Sequence, residues 1–390
     1  MKRILYVHHV SSVGGASFCL LNIIKALDRE KYEPVALLKS PGPLSAELEK
    51  INVEVAYLSS LAAIPYNKSL TSFRTWLGYA RVFSSLRKFK SFIQSGDYDI
   101  VYFNNMMLYP YLRVSKGLKT IVHVREHWPL NEHKLQLRAA QYVMKNNVSW
   151  VVAISQYSAR MFDECKERTT IVHDWISFEG RFNGPKLSEL FKEDINGKRI
   201  YLFTGGLHWT KGTLEVVKAF SSCIKDDNSR LLVLGVNKRS NNHLGIKRFL
   251  RLGRNDYAQK VNELVSLDSR IKCVPSIYAL GNVLRDSYCN LSFFTIPHAN
   301  LTMAEGILLG TPSVAARTDE SIEYSDSGKL AILFDFKDVT AFEKAILHLN
   351  ENYYSIKTSI KNNRQLVEEM FSPENNIALL NKIYRSIMNE

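Results

Sequence analysis

Twice in this chain a short strand-like run breaks into paired glycines and then into helical sequence. Ile4–Val7 leads through His8 and His9 to Gly14 and Gly15, and Tyr201–Phe203 leads through Thr204 to Gly205 and Gly206, then Lys211 and Gly212. Runs this short, apolar on both faces and followed by helices, are what parallel sheets covered on two sides require. The repeated phrase therefore predicts an α/β chain built in two similar halves.

The rest of the pattern agrees. In the first half, Phe18, Leu21, Ile24 and Leu27 form one helical face, and Pro34–Leu38, Val53–Leu58, Ile100–Phe103, Thr120–Val124 and Trp150–Ile154 read as further buried strands. Between Phe182 and Pro185 the pattern breaks at Asn183, Gly184 and Pro185. A second series follows, with strands Arg199–Thr204, Leu231–Leu234, Ile271–Val274, Asn290–Phe294 and Ser313–Ala315, and helices Leu214–Ile224 and Ala341–Leu349 among them. The expectation is two doubly wound, Rossmann-like domains, 1–182 and 186–372, with a ligand cleft between their carboxyl strand edges. The length of 390 residues suits two cores.

Composition narrows the partners. Lys and Arg number 51 against 38 Asp and Glu, a net charge of +13 that favours anionic ligands. No nucleic-acid reading module is visible, so nucleic acid is not expected as a partner. The five cysteines are scattered, with no Cys-x-x-Cys pair, which suits a reducing cytoplasm and neither a disulfide framework nor a zinc site. The amino-terminal apolar run is too short for a secretion signal, and no stretch suits a spanning helix. Any membrane contact is expected to be peripheral, and one segment suits it. Between Lys68 and Lys90, six basic residues are interleaved with Phe73, Trp76, Tyr79, Phe83 and Phe89 without an acidic residue. That mixture fits docking on an anionic membrane, or equally a helix with a buried aromatic face and a solvated basic one.

Three loops could carry chemistry. Gly14 and Gly15 would let backbone pass close to a ligand at a helix start, although a tight turn explains them as well. Lys211, at a helix start beside Gly205, Gly206 and Gly212, would add a point charge to the helix dipole and grip a diphosphate; otherwise it is a solvated surface lysine. Glu305, in Asn300-Leu301-Thr302-Met303-Ala304-Glu305, could accept hydrogen bonds from the two hydroxyls of a ribose. Thr302-x-x-Glu305 is also a capping box, which would leave the carboxylate with a purely local role.

These residues together resemble the donor half of glycosyltransferase family 4, a retaining GT-B family: Gly205, Leu207, Lys211 and Gly212, then Glu305, Gly310, Thr311 and Pro312. Gly14 and Gly15 resemble its amino-terminal glycine loop, and Val152–Ser158 its segment before the interdomain connection. Glu323 falls where its proline-glutamate pair lies, and Phe371–Ile387 resembles its terminal helices. The resemblance implies a GT-B fold whose last helix, 373–390, returns to the first domain. It implies transfer of a sugar, with retention, from a nucleotide-diphosphate donor to a saccharide or lipid-linked acceptor in surface polysaccharide or glycolipid synthesis. It further implies no metal and no cofactor, the nucleotide sugar being a substrate.

By the same resemblance Lys211 holds the diphosphate, Glu305 the ribose, and amides around Asn300, Leu301 and Thr302 reach the donor. His123 best matches a histidine that faces the donor sugar, though a strand histidine is often a satisfied core residue. Arg125 and Glu126, at the carboxyl edge of that strand, would contact acceptor or developing charge, or pair with each other. Charge growing on the departing phosphate would be stabilised chiefly by Lys211, and the leaving group itself would take the acceptor proton, so no protein nucleophile is nominated. Two departures stand out. Gly206 occupies the place of an arginine, for which a basic group from Lys238–Arg254 would substitute. Pro297 occupies the place of a glutamate, whose role His298 would partly fill. These losses keep open an alternative, a non-catalytic nucleotide-sugar-binding or scaffold subunit of the same fold.

Overall fold

The computed structural model of the chain describes residues 1–12, 14–65, 70, 72–128, 132–236, 252–277 and 279–388. They form two compact units, one of Met1–Trp175 with Pro373–Glu390 and one of Ile176–Ser372.

The first unit is built on seven parallel strands: β1 (Lys2–Val7), β2 (Tyr32–Leu38), β3 (Glu54–Tyr57), β4 (Ile100–Phe103), β5 (Lys119–Val124), β6 (Trp150–Ala153) and β7 (Thr169–Ile171), in the order β3-β2-β1-β4-β5-β6-β7. Strand alternation divides its apolar residues between two layers. Leu5, Val7, Val101, Phe103, Val122 and Val124 pack with Phe89 and Ile93 of the Phe73–Ser95 helix. Ile4, Tyr6, Ile100, Tyr102 and Ile121 pack with Leu20 and Ile24 of the Gly15–Lys25 helix and with Leu380, Ile383, Tyr384 and Ile387 of the terminal Pro373–Met388 helix. The apolar face of that last helix docks on this sheet, and the hydroxyls of Tyr6 and Tyr384 meet at 3.0 Å.

The second unit carries six parallel strands: β8 (Arg199–Phe203), β9 (Ser229–Leu234), β10 (Ile271–Val274), β11 (Cys289–Ser292), β12 (Ser313–Ala316) and β13 (Ile332–Phe334), in the order β10-β9-β8-β11-β12-β13. In each sheet the strand order reverses beside the first strand, between β1 and β4 and between β8 and β11. Those switch points are where open α/β sheets collect ligands, outside the carboxyl ends of the strands.

The structure revises three expectations. Residues 176–182 belong with the second unit rather than the first: the Ile176 N–H donates to the Phe371 carbonyl at 3.1 Å, and Ile176 packs with Met303 and Ile307. The chain crosses over before the Asn183-Gly184-Pro185 break, which marks only a turn. The strand expected over Asn290–Phe294 stops at Ser292, because Phe294 takes a left-handed φ of 53°. The short edge strands β7 and β13 have no counterpart in the sequence reading, each being three residues long.

Candidate active site

At the β8–β11 switch point the second unit assembles most of the donor-side residues. After β8 the chain turns through Thr204, Gly205 and Gly206 into a short turn, Trp209–Lys211, and then into the Thr213–Cys223 helix. The loop after β11 fastens this turn in place: Phe294 N–H donates to the Lys211 carbonyl at 3.3 Å, and Thr295 N–H to the Thr210 carbonyl at 3.0 Å. This places the Lys211 ammonium 4.7 Å from the centre of the Phe294 ring. Burial pushes its pKa down to about 8. The side chain is half-buried, and among the described residues no carboxylate pairs with it.

Gly206 has φ 61°, and a Cβ there would lie 2.9 Å from the Gly235 carbonyl oxygen. Backbone crowding, rather than a relaxed need for charge, thus excludes an arginine at this position in this loop. The substitute expected from Lys238–Arg254 falls on side chains that lie outside the described residues.

The Leu301–Leu309 helix starts beside this loop, with Thr204 Oγ1 and Thr302 Oγ1 3.3 Å apart. Its N-cap is Asn300, whose Oδ1 accepts the Met303 N–H at 3.3 Å. The Thr302-x-x-Glu305 capping box is therefore not formed. Glu305 lies a turn further in, and its Oε1 accepts from Arg181 Nη2 at 2.6 Å, both side chains being buried. Burial raises the Glu305 pKa and the Arg181 charge opposes that rise. Sequence gives no signal for this pair, because Arg181 sits in the segment that follows the crossover. His298 stands edge-on to Phe294, ring centres 5.5 Å apart, so the same aromatic side chain touches both His298 and Lys211.

The first unit gathers a different set at the β1–β4 switch point. His123 of β5 is joined by Arg125, Asn104 and His8, which follow the ends of β5, β4 and β1. His123 is buried, with Nδ1 2.6 Å from Tyr102 Oη and 3.0 Å from Arg125 Nη2. Arg125 and Glu126 do not pair with each other. Arg125 is ion-paired with Asp174, which follows β7, and Glu126 Oε2 accepts the backbone N–H groups of Met106 at 3.0 Å and Arg125 at 3.2 Å. Burial pushes the Glu126 pKa up to about 7 despite those hydrogen bonds. Gly14 and Gly15 need no positive φ, and a Cβ at either would meet nothing within 4 Å. The tight-turn explanation therefore does not account for them. Asp174, Tyr102 and Asn104 are the residues that sequence reasoning missed, and His8 was quoted only as part of a loop. The strand before Asp174, β7, is three residues long, so the sequence carries no signal that flags this carboxylate.

Two parallel, doubly wound sheets, each with polar side chains gathered at its switch point, define a GT-B type glycosyltransferase fold. The sequence model of Glycosyltransferase Family 4 matches residues 13–179, and that of Glycosyl transferases group 1 matches residues 198–352. The chain belongs to the family 4, group 1 glycosyltransferases. Among solved structures it is similar to HepE of Anabaena in complex with UDP and glucose, with TM-score 0.76 and 17% identity over 99% of this chain and 100% of that one. It is similar to the sucrose-phosphate synthase of Thermosynechococcus elongatus, with TM-score 0.73 and 15% identity over the whole of both chains. An E. coli trehalose-6-phosphate protein bound with UDP-2-fluoro glucose gives TM-score 0.68 and 11% identity over 98% of this chain and 99% of that one. No curated protein sequence matches the chain.

Proposed function

We propose that the protein moves a sugar, with retention, from a nucleotide-diphosphate donor held by the second unit to a saccharide or lipid-linked acceptor used in surface polysaccharide or glycolipid synthesis. The observation that carries this reading is Lys211: a half-buried ammonium over Phe294, with no ion pair to a carboxylate among the described residues, beside helix starts at a switch point. A cation so placed is stabilised by an incoming anion, and it stabilises a diphosphate more as charge grows on the departing oxygen. Glu305, oriented by Arg181, accepts from the ribose hydroxyls. The Leu301 and Thr302 amides add hydrogen bonds to the donor, and Gly14 and Gly15 let the first unit's loop approach it. His123 contacts the donor sugar, and Arg125 and Glu126 act on the acceptor side. The structural relatives that carry UDP or a UDP-sugar support the donor class.

In this reading no metal or cofactor takes part, and undiminished transfer in excess EDTA is the expected outcome. The protein works at the cytoplasmic face of a membrane, docking through the Phe73–Ser95 helix. That helix leaves Phe73, Trp76, Leu77 and Phe83 exposed next to exposed Arg81, Arg87, Lys88 and Lys90, while Val82, Phe89 and Ile93 face the core. Lys68 and the Arg74 side chain lie outside the described residues. Among the described residues, no helix is long and apolar enough to cross a membrane. A thermal-shift panel of UDP-, GDP-, dTDP- and CMP-sugars tests the donor class, since a bound ligand raises the midpoint by mass action. No stabilisation by any of them, together with no donor hydrolysis, would sink the enzymatic reading. Stabilisation without hydrolysis or transfer would favour the scaffold alternative instead.

A further inference from the structure

His123 sits where two donors converge on one nitrogen. Arg125 Nη2 and Tyr102 Oη lie 3.0 Å and 2.6 Å from its Nδ1. A guanidinium has hydrogens and no acceptor, so Nδ1 must offer its lone pair, and Tyr102 must donate as well. An imidazole with a bare Nδ1 carries its one proton on Nε2. That Nε2 is buried and meets no acceptor of the chain among the described residues.

The same guanidinium sets a second ring. Arg125 Nε donates to Asn104 Oδ1 at 3.3 Å, which turns the Asn104 amide N–H groups toward the Ala16 carbonyl and His8 Nδ1, each at 3.1 Å. His8 Nδ1 is thus an acceptor, and its Nε2–H points to Ser17 Oγ at 3.0 Å. Ser17 in turn donates to the Ser12 carbonyl at 2.9 Å, in the loop that leads to Gly14. The bonds from Arg125 through Asn104, His8 and Ser17 to the Ser12 carbonyl all run one way, outward from the Arg125–Asp174 pair. Among the ring nitrogens of this series, His123 Nε2 is the one without a partner among the described residues. The other titratable groups close by are Tyr6 from β1, Cys19 from the Gly15–Lys25 helix, Tyr384 from the terminal helix beside Tyr6 and Tyr102, and His9 beside His8. Burial and the Arg125 charge hold His123 well below the ordinary histidine range, and burial takes His8 down to about 3.

We propose that Arg125, held by Asp174, and Tyr102 are positioning residues that lock His123 as a neutral Nε2–H donor, which gives an uncharged substrate oxygen, such as a sugar hydroxyl, one hydrogen bond and takes no part in proton transfer. The substrate half rests on the nucleotide-sugar reading above; the lock does not. Nitrogen-15 NMR of the full-length protein labelled at histidine tests it, with His123→Gln to assign the signals. From pH 6 to 8 the free protein is expected to show His123 as a single neutral Nε2–H tautomer that does not titrate. An Nδ1–H tautomer or an imidazolium in that range would overturn the lock.

Removing all three restraints, with Tyr102→Phe, Arg125→Met and Asp174→Leu together, is expected to average the two tautomers. Unchanged nitrogen shifts in that folded variant would show a merely structural role. The wild-type spectrum keeps the lock testable if the variant does not fold. For the substrate half, UDP-glucose at concentrations that saturate thermal stabilisation is expected to move the Nε2–H resonance, and UDP is not. A saturated protein with that resonance unmoved overturns the contact. Lack of stabilisation by every nucleotide sugar counts against both the functional reading and the contact, while the free-protein tautomer still decides the lock.

Discussion

The ammonium of Lys211 lies 4.7 Å from the centre of the Phe294 ring, and the backbone of one residue holds the other, Phe294 N–H to Lys211 carbonyl at 3.3 Å. The turn therefore brings the two residues together, and the lysine side chain completes the contact. Replacing Lys211 by Met is expected to leave the thermal midpoint unchanged or raised, because a sheltered charge costs stability. Sugar transfer is expected to fall by roughly a hundred- to a thousand-fold, the scale of losing one transition-state donor. Calorimetric melting and donor turnover on the same preparation check both.

The pKa of that lysine gives a pH signature. Its folded value, about 8, lies below the ordinary 10.5, so the charge costs stability below pH 8 and the cost fades as pH rises towards 10.5. Nucleotide-sugar affinity is expected to decline as pH rises through 8, where the ammonium empties. Binding near pH 8.5 should take up a proton, seen as a buffer-dependent enthalpy in titration calorimetry.

Glu305 and Arg181 form a buried pair at 2.6 Å. Glu305→Ala strands a cation and is expected to cost about 3–5 kcal/mol in urea unfolding. Adding Arg181→Met should restore most of that stability without restoring nucleotide affinity. Full affinity in the double variant would remove the ribose role and leave the pair purely structural.

Glu126 has its folded pKa raised to about 7 from 4.5. The unfolded chain gives up this proton first, so the carboxylate lowers stability progressively between pH 4.5 and 7 and by its full amount above that. Glu126→Gln, which can still accept the Met106 and Arg125 N–H groups, is expected to melt like the parent near pH 4.5. At pH 8 it should be more stable, by on the order of 2–3 kcal/mol. A loss of transfer in this stabler variant would place Glu126 on the acceptor side of the chemistry.

The Phe73–Ser95 helix supplies the last prediction. Sedimentation with vesicles containing anionic lipid should carry the protein down at low salt and release it as salt rises. Neutralising Arg81, Arg87 and Lys88 together is expected to abolish pelleting while leaving turnover of a soluble acceptor intact. Pelleting indifferent to anionic lipid would end the docking idea.

The strand rhythm made both sheets legible because a buried parallel strand must be apolar along its whole length. Ile100–Phe103 and Ile271–Val274 stand where the sequence placed them, and the other expected strands overlap the observed ones. The edge strands β7 and β13 escaped, being too short to show a period. Gly205, Lys211, Asn300 and Thr302 were legible for a related reason: each belongs to a strand-to-helix turn whose local requirements are written in consecutive residues. The Glu126 carboxylate was legible as a strand-edge residue, but its backbone partners were not.

What the sequence determined on its own was the repeated strand, loop and helix, since these follow from periodicity and turn chemistry within a few residues. Only the folded chain decided the pairings that span it: Arg181 with Glu305, Arg125 with Asp174, Tyr6 with Tyr384. Each joins segments far apart in the chain, and the reason is electrostatic. A buried charge or hydroxyl must find a partner in three dimensions, and nothing in its own neighbourhood of sequence says which one it will be.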